Sequence, residues 1–520
     1  MLGKYESLWP RWACILVLAV VAGSLSGCQS DRARFLQNAA FKKKVERANM
    51  QGDDGAPTEL SAGVTEDIGN ILEALFGTPD APKLPAIEGL ELNKIADLKA
   101  LQVAAGPVKS DQEGIAHGLY REHCVHCHGI SGDGNGPTAA FLNPYPRDYR
   151  LGLYKFKSSK KGEKPTQEDL QRIVHNGIPG TAMPSFALLP EIEVNALIDY
   201  VKYLSIRGET ERKLFAFATS DLVDPFDELY AQYTTLSEEL TRLNAAAGPS
   251  NENLASAAKH LDQAFRKLTT IRSGAKKVVR EPGGDELETV EDLPAKVDEL
   301  EAQSAKLESD AAAYTPPRMF VAMIDGKLRP EAEIKGQLTP YLEMAKEAME
   351  PWTTQASAPV PAPPTPLAPK GRDSIARGRA IFYGPIANCF SCHGDSGLGD
   401  GQRDFYDEWS GEWVEKGKPQ ATDIYVAAGA LPPRNLVPRN LRLGIYRGGR
   451  RPVDLYWRLT NGIDGAQMPA VPLLAQDDPP GTKKLSQSQL WDLINYVRSL
   501  PYEPISRPAR EESHLAKEVQ

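Results

Sequence analysis

A five-residue pattern, Cys-x-x-Cys-His, occurs twice in this chain of 520 residues. The first copy spans Cys124–His128 and the second spans Cys389–His393. Each copy is followed at a similar distance by the pattern Asn-Gly-Ile-x-Gly-x-x-Met-Pro, which contains Met183 in the first half and Met468 in the second. Because both patterns recur in the same order, we expect the two halves to contain one repeated module.

The spacing inside the pattern suits covalent attachment of a haem. Two thiols one helical turn apart can meet the two vinyl groups of one porphyrin, and the histidine that follows directly can turn its imidazole to the iron. The residues predicted to hold two haem c groups covalently are Cys124, Cys127, Cys389 and Cys392. His128 and His393 are the predicted proximal ligands. A redox-active cysteine pair or half of a zinc site is disfavoured, because no second Cys-x-x-Cys lies close to either copy and thioredoxin-like motifs lack the trailing histidine.

A second segment is shared by the two halves, since Pro146–Lys155 is similar to Pro438–Arg447. With the motifs above, it makes the sequence resemble a di-haem cytochrome c with two class I-like domains. The resemblance implies two small all-α domains. Arg147 and Arg439, at equivalent positions of this segment, are candidates for contacts to haem propionates, because a cation offsets carboxylate charge. The alternative is that both are ordinary surface-loop arginines, and the sequence does not decide between the two.

The sixth ligand of each iron separates an electron carrier from an enzyme. A His/Met pair is typical of electron-transfer cytochromes, whereas an open position permits ligand chemistry. His175 lies near Met183 and competes with it as a ligand, but its counterpart in the second half is Thr460, whereas Met183 corresponds to Met468. The repeat therefore favours Met183 and Met468 and disfavours a di-haem peroxidase.

The N-terminus resembles a secretory leader over residues 1–27. Lys4 and Arg11 precede an apolar run over about 12–25, which is short for a membrane span. The run ends in Leu-Ser-Gly-Cys at Cys28, which resembles the bacterial lipobox. The resemblance implies lipidation of Cys28 and an exported protein that is anchored to a membrane and faces the periplasm. A soluble periplasmic protein cut elsewhere, or an uncleaved anchor, are the alternatives.

Composition limits the kinds of partner. The chain has 60 Lys and Arg residues against 69 Asp and Glu residues, a net charge of −9, which gives no general electrostatic reason to bind nucleic acid. All six cysteines are used, four in the motifs and two, Cys14 and Cys28, in the leader region. We expect redox proteins and a membrane as partners, and no small-molecule substrate.

The predicted fold class is mainly α, with two cytochrome c domains separated along the chain by a helical segment and a Pro-rich linker. The predicted divisions are a signal peptide (1–27), a tether or extension (28–110), cytochrome c domain 1 (111–208), a helical spacer or docking region (209–350), a Pro/Ala-rich linker (351–371), cytochrome c domain 2 with an insertion (372–505) and a tail (506–520). The extension is either a tether that holds the first haem away from lipid or a decoration packed on domain 1. The Pro-rich linker is stiff enough to hold the two domains apart.

Two further features have open roles. The insertion of domain 2 contains Tyr406, Trp409 and Trp413, which either pack, shield a haem or form a partner surface. A basic run follows the shared segment, and its members are Lys155, Lys157, Lys160, Lys161 and Lys164. One interpretation is that this run steers acidic redox partners towards the haem edge. The alternative is that it is a solvated loop.

These observations favour a lipid-anchored di-haem cytochrome c that passes single electrons from a respiratory membrane oxidoreductase to an acceptor such as a terminal oxidase, and thus a carrier over an enzyme. The alternative is the haem subunit of a periplasmic dehydrogenase or a peroxidase-like enzyme. A third possibility is a scaffold subunit of a larger complex, whose haems only pass electrons within that complex.

Overall fold

The structure is a computed structural model, and the residues that it describes are 33–50, 58–110, 114–222, 225–247, 251–271, 292–324, 327–354, 371–479 and 481–502. The fold is mainly α, as predicted. The predicted leader with Cys28, residues 355–370 of the linker and the tail over 506–520 lie outside the described residues.

The helices and strands of the described residues are as follows. The α-helices are α1 (Ala39–Asn49), α2 (Ala62–Phe76), α3 (Leu98–Ala104), α4 (Leu119–His123), α5 (Val125–His128), α6 (Gln167–Asn176), α7 (Glu191–Ser220), α8 (Phe226–Ala247), α9 (Glu252–Ile271), α10 (Leu293–Ala313), α11 (Glu331–Thr354), α12 (Arg372–Tyr383), α13 (Phe390–His393), α14 (Glu408–Gly411), α15 (Pro419–Ala427), α16 (Pro452–Asn461) and α17 (Gln487–Ser499). The antiparallel strand pairs are β1 (Gly77–Thr78) with β2 (Ala81–Pro82), β3 (Lys109–Ser110) with β4 (Ala116–His117), and β5 (Met323–Ile324) with β6 (Lys327–Leu328).

Helix α7 is the central element of the first half. Its apolar stripe predicts a helix that ends near Leu204, whereas the observed helix has 30 residues and ends at Ser220. The additional turns are buried too, with Leu214 and Phe215 fully enclosed, because other parts of the chain cover them. At Gly208 the helix lies so close to the shared segment that a Cβ atom would be 2.4 Å from the Cα atom of Arg150.

The described part of the extension, residues 33–50 and 58–110, packs on α7. The Tyr203 hydroxyl of α7 donates a hydrogen bond to the Phe76 carbonyl at 2.7 Å, and the Lys202 ammonium donates one to the Ile95 carbonyl at 3.0 Å. Ile68, Ile71 and other apolar residues of α2 belong to the same hydrophobic core as α7. Of the two alternatives, a packed decoration describes this region and a free tether does not.

The central region contains a unit of three helices, α8, α9 and α10. Its core is separate from the others and includes Leu243, Leu254, Leu268 and Leu307. After this unit the chain returns to α7 through α11, whose Trp352 packs edge-on against Tyr154 with ring centroids 5.8 Å apart. The predicted spacer region therefore contributes both a separate helical unit and a helix that completes the first half.

The second half is a compact helical domain. Helices α12 and α17 cross at Gly378, where a Cβ atom would lie 2.0 Å from the Asp492 carbonyl oxygen. The pattern Ser-x-x-Gln at residues 486–489 predicts a capping box at the start of α17, and the structure confirms it. The Ser486 hydroxyl accepts from the Gln489 backbone N–H, and the Gln489 side chain accepts from the Ser486 backbone N–H.

The two halves are in direct contact. The Arg434 guanidinium of the second half donates hydrogen bonds to the Leu142 carbonyl at 2.6 Å and to the Ala140 carbonyl at 2.8 Å in the first half. Trp409 of the insertion is buried and lies over the side chains of Arg147 and Lys155. The expectation that the Pro-rich linker holds the two domains apart is thus wrong, and Trp409 serves packing between them.

Within the described residues, no helix combines the length and the apolar character that a bilayer crossing requires.

Candidate haem sites

The two Cys-x-x-Cys-His motifs have the same local structure. Each forms a single helical turn, in which the histidine N–H donates to the carbonyl of the first cysteine, at 2.8 Å from His128 to Cys124 and at 2.9 Å from His393 to Cys389. The four cysteines are free thiols. Burial raises the pKa of the Cys124 and Cys389 thiols to about 12. The two thiols of each motif therefore lie on one turn next to their histidine, as attachment to one porphyrin requires.

Each motif histidine is oriented by the shared segment. Nδ1 of His128 lies 3.0 Å from the Arg147 carbonyl oxygen, and Nδ1 of His393 lies 3.0 Å from the Arg439 carbonyl oxygen. A carbonyl can only accept, so Nδ1 carries the proton and Nε2 is the unprotonated nitrogen, which is the one that could bind a metal. Burial lowers the pKa of His128 to about 4 and also lowers that of His393. Both imidazoles are thus held in the neutral form that ligates iron.

The two proximal sides differ at the residue that packs on the histidine ring, and reasoning from the sequence did not identify it. The Tyr149 ring stacks on the His128 ring with centroids 4.7 Å apart, and its hydroxyl lies 3.3 Å from Nε2. The equivalent position of the second half is Leu441. The alignment of the shared segments contains this difference, so comparing them position by position would have identified it.

The predicted methionine ligands lie in equivalent loops. In each loop the isoleucine N–H donates to the methionine carbonyl, at 3.2 Å from Ile178 to Met183 and at 3.1 Å from Ile463 to Met468. Both methionines are half-buried, and Met468 packs against the core of the second half. The competing residue His175 is exposed. Iron ligation by Met183 and Met468 stays a prediction.

The guanidinium of Arg147 provides a test of whether a haem fits. Its Nη1 atom is buried, and no group among the described residues forms a hydrogen bond with it. Burial lowers the pKa of Arg147 to about 10. A buried cation without an anionic partner is costly, and the carboxylate of a haem propionate is the kind of group that would compensate it. The residues of the first site therefore fit the predicted group.

Arg147 and Arg439 also reach across the contact between the halves. A Cβ atom on Gly465, in the Met468 loop, would lie 3.2 Å from Nη1 of Arg147. A Cβ atom on Gly180, in the Met183 loop, would lie 2.4 Å from Nη2 of Arg439. Each half thus places its arginine against the methionine loop of the other, which makes the contact reciprocal.

The basic run is mostly not available to a partner. Lys157 is buried and forms an ion pair with Asp464 at 2.6 Å, and Lys164 is buried and forms one with Glu209 at 2.6 Å. Lys160 and Lys161 are exposed. The hypothesis that all five lysines steer a redox partner is therefore wrong for Lys157 and Lys164.

Each half of the chain matches a known protein family. Residues 115–201 match the family described as cytochrome C oxidase, cbb3-type, subunit III, and residues 375–501 match the family described as cytochrome c. Each matched range contains one Cys-x-x-Cys-His motif and one predicted methionine ligand.

No curated protein matches the chain. Among solved structures, a chain of the reducing HAO-like protein complex from Kuenenia stuttgartiensis is similar at 19% identity, over 75% of this chain and 97% of that chain, with a TM-score of 0.32. A likeness of this extent carries no argument about fold or function.

Proposed function

We propose that this chain, which contains two c-type cytochrome domains, is a membrane-anchored di-haem cytochrome c that passes single electrons from a respiratory membrane oxidoreductase to an acceptor such as a terminal oxidase. The two family matches imply covalently bound haem c, electron transfer and redox protein partners. The observation that carries the proposal is the paired geometry of His128 and His393, each fixed by an arginine carbonyl next to two free thiols.

The residues of the chain have distinct tasks in this proposal. Cys124 and Cys127 in the first site, and Cys389 and Cys392 in the second, hold the porphyrins. His128 with Met183 and His393 with Met468 ligate the irons, which supply one-electron chemistry when bound. Arg147 and Arg439 would place positive charge near the propionates of a bound haem and so would favour its reduced state.

A carrier needs both axial positions of each iron to stay filled, because an exchangeable position would admit small molecules. The two methionine loops are closed by the same internal hydrogen bond, and each is covered by an arginine of the other domain. This arrangement supports a carrier over a peroxidase-like enzyme or the haem subunit of a dehydrogenase.

The membrane anchor is part of the proposal and rests on the leader and Cys28. Cys28→Ala is expected to release the protein from the membrane fraction into the periplasmic fraction, with its haem content unchanged. Labelling with a radioactive fatty acid should mark the wild-type protein and not the variant. Absence of the label from the wild-type protein would contradict lipid anchoring and favour an uncleaved leader.

The decisive experiment measures haem number and ligation in the purified full-length protein. We expect two haems per chain by the pyridine haemochrome assay, and one after the paired change Cys389→Ala and Cys392→Ala. Both oxidised irons should show the near-infrared band of methionine ligation. High-spin iron in the wild-type protein would contradict the carrier function, and co-purification from a detergent extract would identify the redox partner.

A further inference from the structure

A segment of the first domain is longer than its counterpart in the second. Twelve positions separate Tyr154 from Thr166, where α6 is capped, whereas five separate Tyr446 from Arg451, where α16 is capped. The additional residues of the first domain include 157–162, which we name the clasp segment. The clasp segment packs on the second domain. The additional residues of the first domain therefore form part of the contact between the two domains.

The clasp segment binds the loop that leads to Met468. Asp464 of this loop accepts hydrogen bonds from the Lys157 ammonium at 2.6 Å and from the Gly162 backbone N–H at 3.1 Å. Asn461, at the end of α16, donates from Nδ2 to the Ser158 carbonyl at 3.1 Å and to the Ser159 carbonyl at 2.9 Å. The start of the methionine loop is thus held by the other domain.

These contacts are shielded from water. The side chains of Lys157 and Asp464 are each 4% exposed, and Asn461 is buried. Two buried opposite charges depend on each other, because removing one leaves the other desolvated without a partner. We therefore expect the Lys157–Asp464 pair to fix the position of the loop that leads to Met468 more than to raise the free energy of unfolding.

Asn461 and Asp464, which are held by the clasp segment, limit the positions that Met468 can occupy. Asp464 lies four positions before Met468, and the intervening loop is closed by the hydrogen bond from the Ile463 N–H to the Met468 carbonyl. Gly465 is confined between Trp409 and Arg147, since a Cβ atom there would lie 2.8 Å from the Trp409 ring. A loop so short and so closely packed cannot shift at Asp464 without displacing Met468.

The first domain has no equivalent of this arrangement at the corresponding positions. The counterpart of Asn461 is Asn176, which is exposed, and the counterpart of Asp464 is Pro179, which has no ionisable side chain. Holding a methionine loop from the opposite domain through a charged pair is therefore specific to the second site.

We propose that Lys157 and Asp464 are positioning residues for the second haem site, so that ligation of its iron by Met468 depends on docking of the first domain. This inference rests on the His/Met ligation proposed above. Because coupling is reciprocal, ligation by Met468 in turn stabilises the docked arrangement of the two domains. Loss of Met468 as a ligand is then expected to occur together with loosening of the contact between the two domains.

The test uses the full-length protein with both haems bound. The variants are Lys157→Gln, Asp464→Asn and the double variant. The control is Glu209→Gln, which breaks the ion pair of the same length between the half-buried Glu209 and the buried Lys164. Ligation is read from the upfield-shifted methionine methyl signals of the reduced protein, one for each methionine-ligated iron. The affinity of the oxidised protein for added imidazole reports how easily the methionine is displaced.

We expect the wild-type and the control to show two methyl signals. Each single variant should weaken or lose one signal and bind imidazole at one iron about tenfold more tightly. Because both changes break the same contact, the double variant should show no more than the larger single effect. Asn461→Ala is a milder variant that leaves no buried charge unpaired, and it should act in the same direction, whereas Asn176→Ala should have no effect.

Two results would overturn the inference in distinguishable ways. A wild-type protein without a methionine signal from the second iron would contradict both the proposed ligation and the positioning role. Two signals and wild-type imidazole affinity in Asp464→Asn and Asn461→Ala would contradict the positioning role alone and leave the electron-transfer function standing.

Discussion

Nδ1 of His393 lies 3.0 Å from the carbonyl oxygen of Arg439. The guanidinium of the same arginine lies against Gly180 in the methionine loop of the other domain. One residue thus orients the proximal ligand of its own site with its backbone and covers the distal loop of the opposite site with its side chain. The two predicted haem sites therefore share structural elements at the contact between the two domains.

Removing the charge of Arg147 should lower the reduction potential of one haem. A positive charge near a propionate favours the reduced state, so we expect Arg147→Gln to lower one midpoint potential by on the order of tens of millivolts. Arg434→Gln is a matched control, because that arginine also lies at the contact but donates to backbone carbonyls. Potentiometric titration measures both, and equal potentials in wild-type and Arg147→Gln would place this arginine away from the haem.

A side chain at Gly465 should disturb the second site. The backbone has φ of +67°, and a Cβ atom would lie 2.8 Å from the Trp409 ring, so Gly465→Ala combines backbone strain with a clash. We expect a loss of about 1–3 kcal/mol in the free energy of unfolding, together with weaker methionine ligation. At Gly417 φ is +77°, and no atom of the described residues contacts the Cβ position within 4 Å, so Gly417→Ala introduces only the strain. Denaturant titration compares the two, and equal losses would argue against close packing at Gly465.

The crossing of α12 and α17 should tolerate nothing larger than glycine. A Cβ atom at Gly378 would lie 2.0 Å from the Asp492 carbonyl oxygen, so Gly378→Ala must separate the two helices, at a cost of about 1–3 kcal/mol. Gly336 is also helical, and outside its own helix backbone no atom of the described residues lies within 4 Å of its Cβ position. Gly336→Ala should instead stabilise α11 by about 0.5–1 kcal/mol through helix propensity. Opposite shifts of the thermal unfolding midpoint are the expected result, and a neutral Gly378→Ala would contradict the observed crossing.

Low pH should loosen the contact between the two domains through Glu412. Burial alone would raise the pKa of Glu412, but the guanidinium of Arg212 at 2.7 Å and the ammonium of Lys44 at 3.0 Å outweigh it and hold this pKa below its ordinary value of 4.5. A carboxyl whose pKa is lowered in the folded protein stabilises it fully above pH 4.5, and this contribution is lost as the pH falls through the folded pKa.

Glu412→Gln tests this pH dependence. At pH 7 the variant should be less stable than the wild-type protein by about 1–3 kcal/mol, because Arg212 and Lys44 lose their charged partner. The two proteins should converge in stability as the pH falls below 4.5. Thermal unfolding followed by circular dichroism at several pH values measures the difference, and a difference that stays constant with pH would show that Glu412 is not the titrating group.

Sequence signals that act locally predicted the structure well. The helix that begins near Thr166, the capping box of α17 at Ser486 and the helical turns of both motifs all depend on neighbouring residues. These features needed no knowledge of how the halves are arranged. The repeat predicted that each motif has its own shared segment, whereas the contact between the arginine carbonyl and the motif histidine is known from the structure.

Contacts between distant parts of the chain could not be predicted. Lys157 is one of several lysines in a polar run, and only the structure places it beside Asp464, more than 300 positions away. The prediction that α7 ends near Leu204 was wrong for the same reason. The residues that bury its last turns come from the extension and from α11. Burial of a charged or polar residue by a remote segment leaves no local pattern.

The helical unit of α8, α9 and α10 begins and ends at one place. Phe226 at its start and Tyr314 at its end have ring centroids 6.0 Å apart, and the core of the unit is its own. Such a unit has the architecture of a cassette inserted at a single point of a host protein. Its gain, loss or exchange in the course of evolution would leave the flanking parts of the chain joined at nearly the same points.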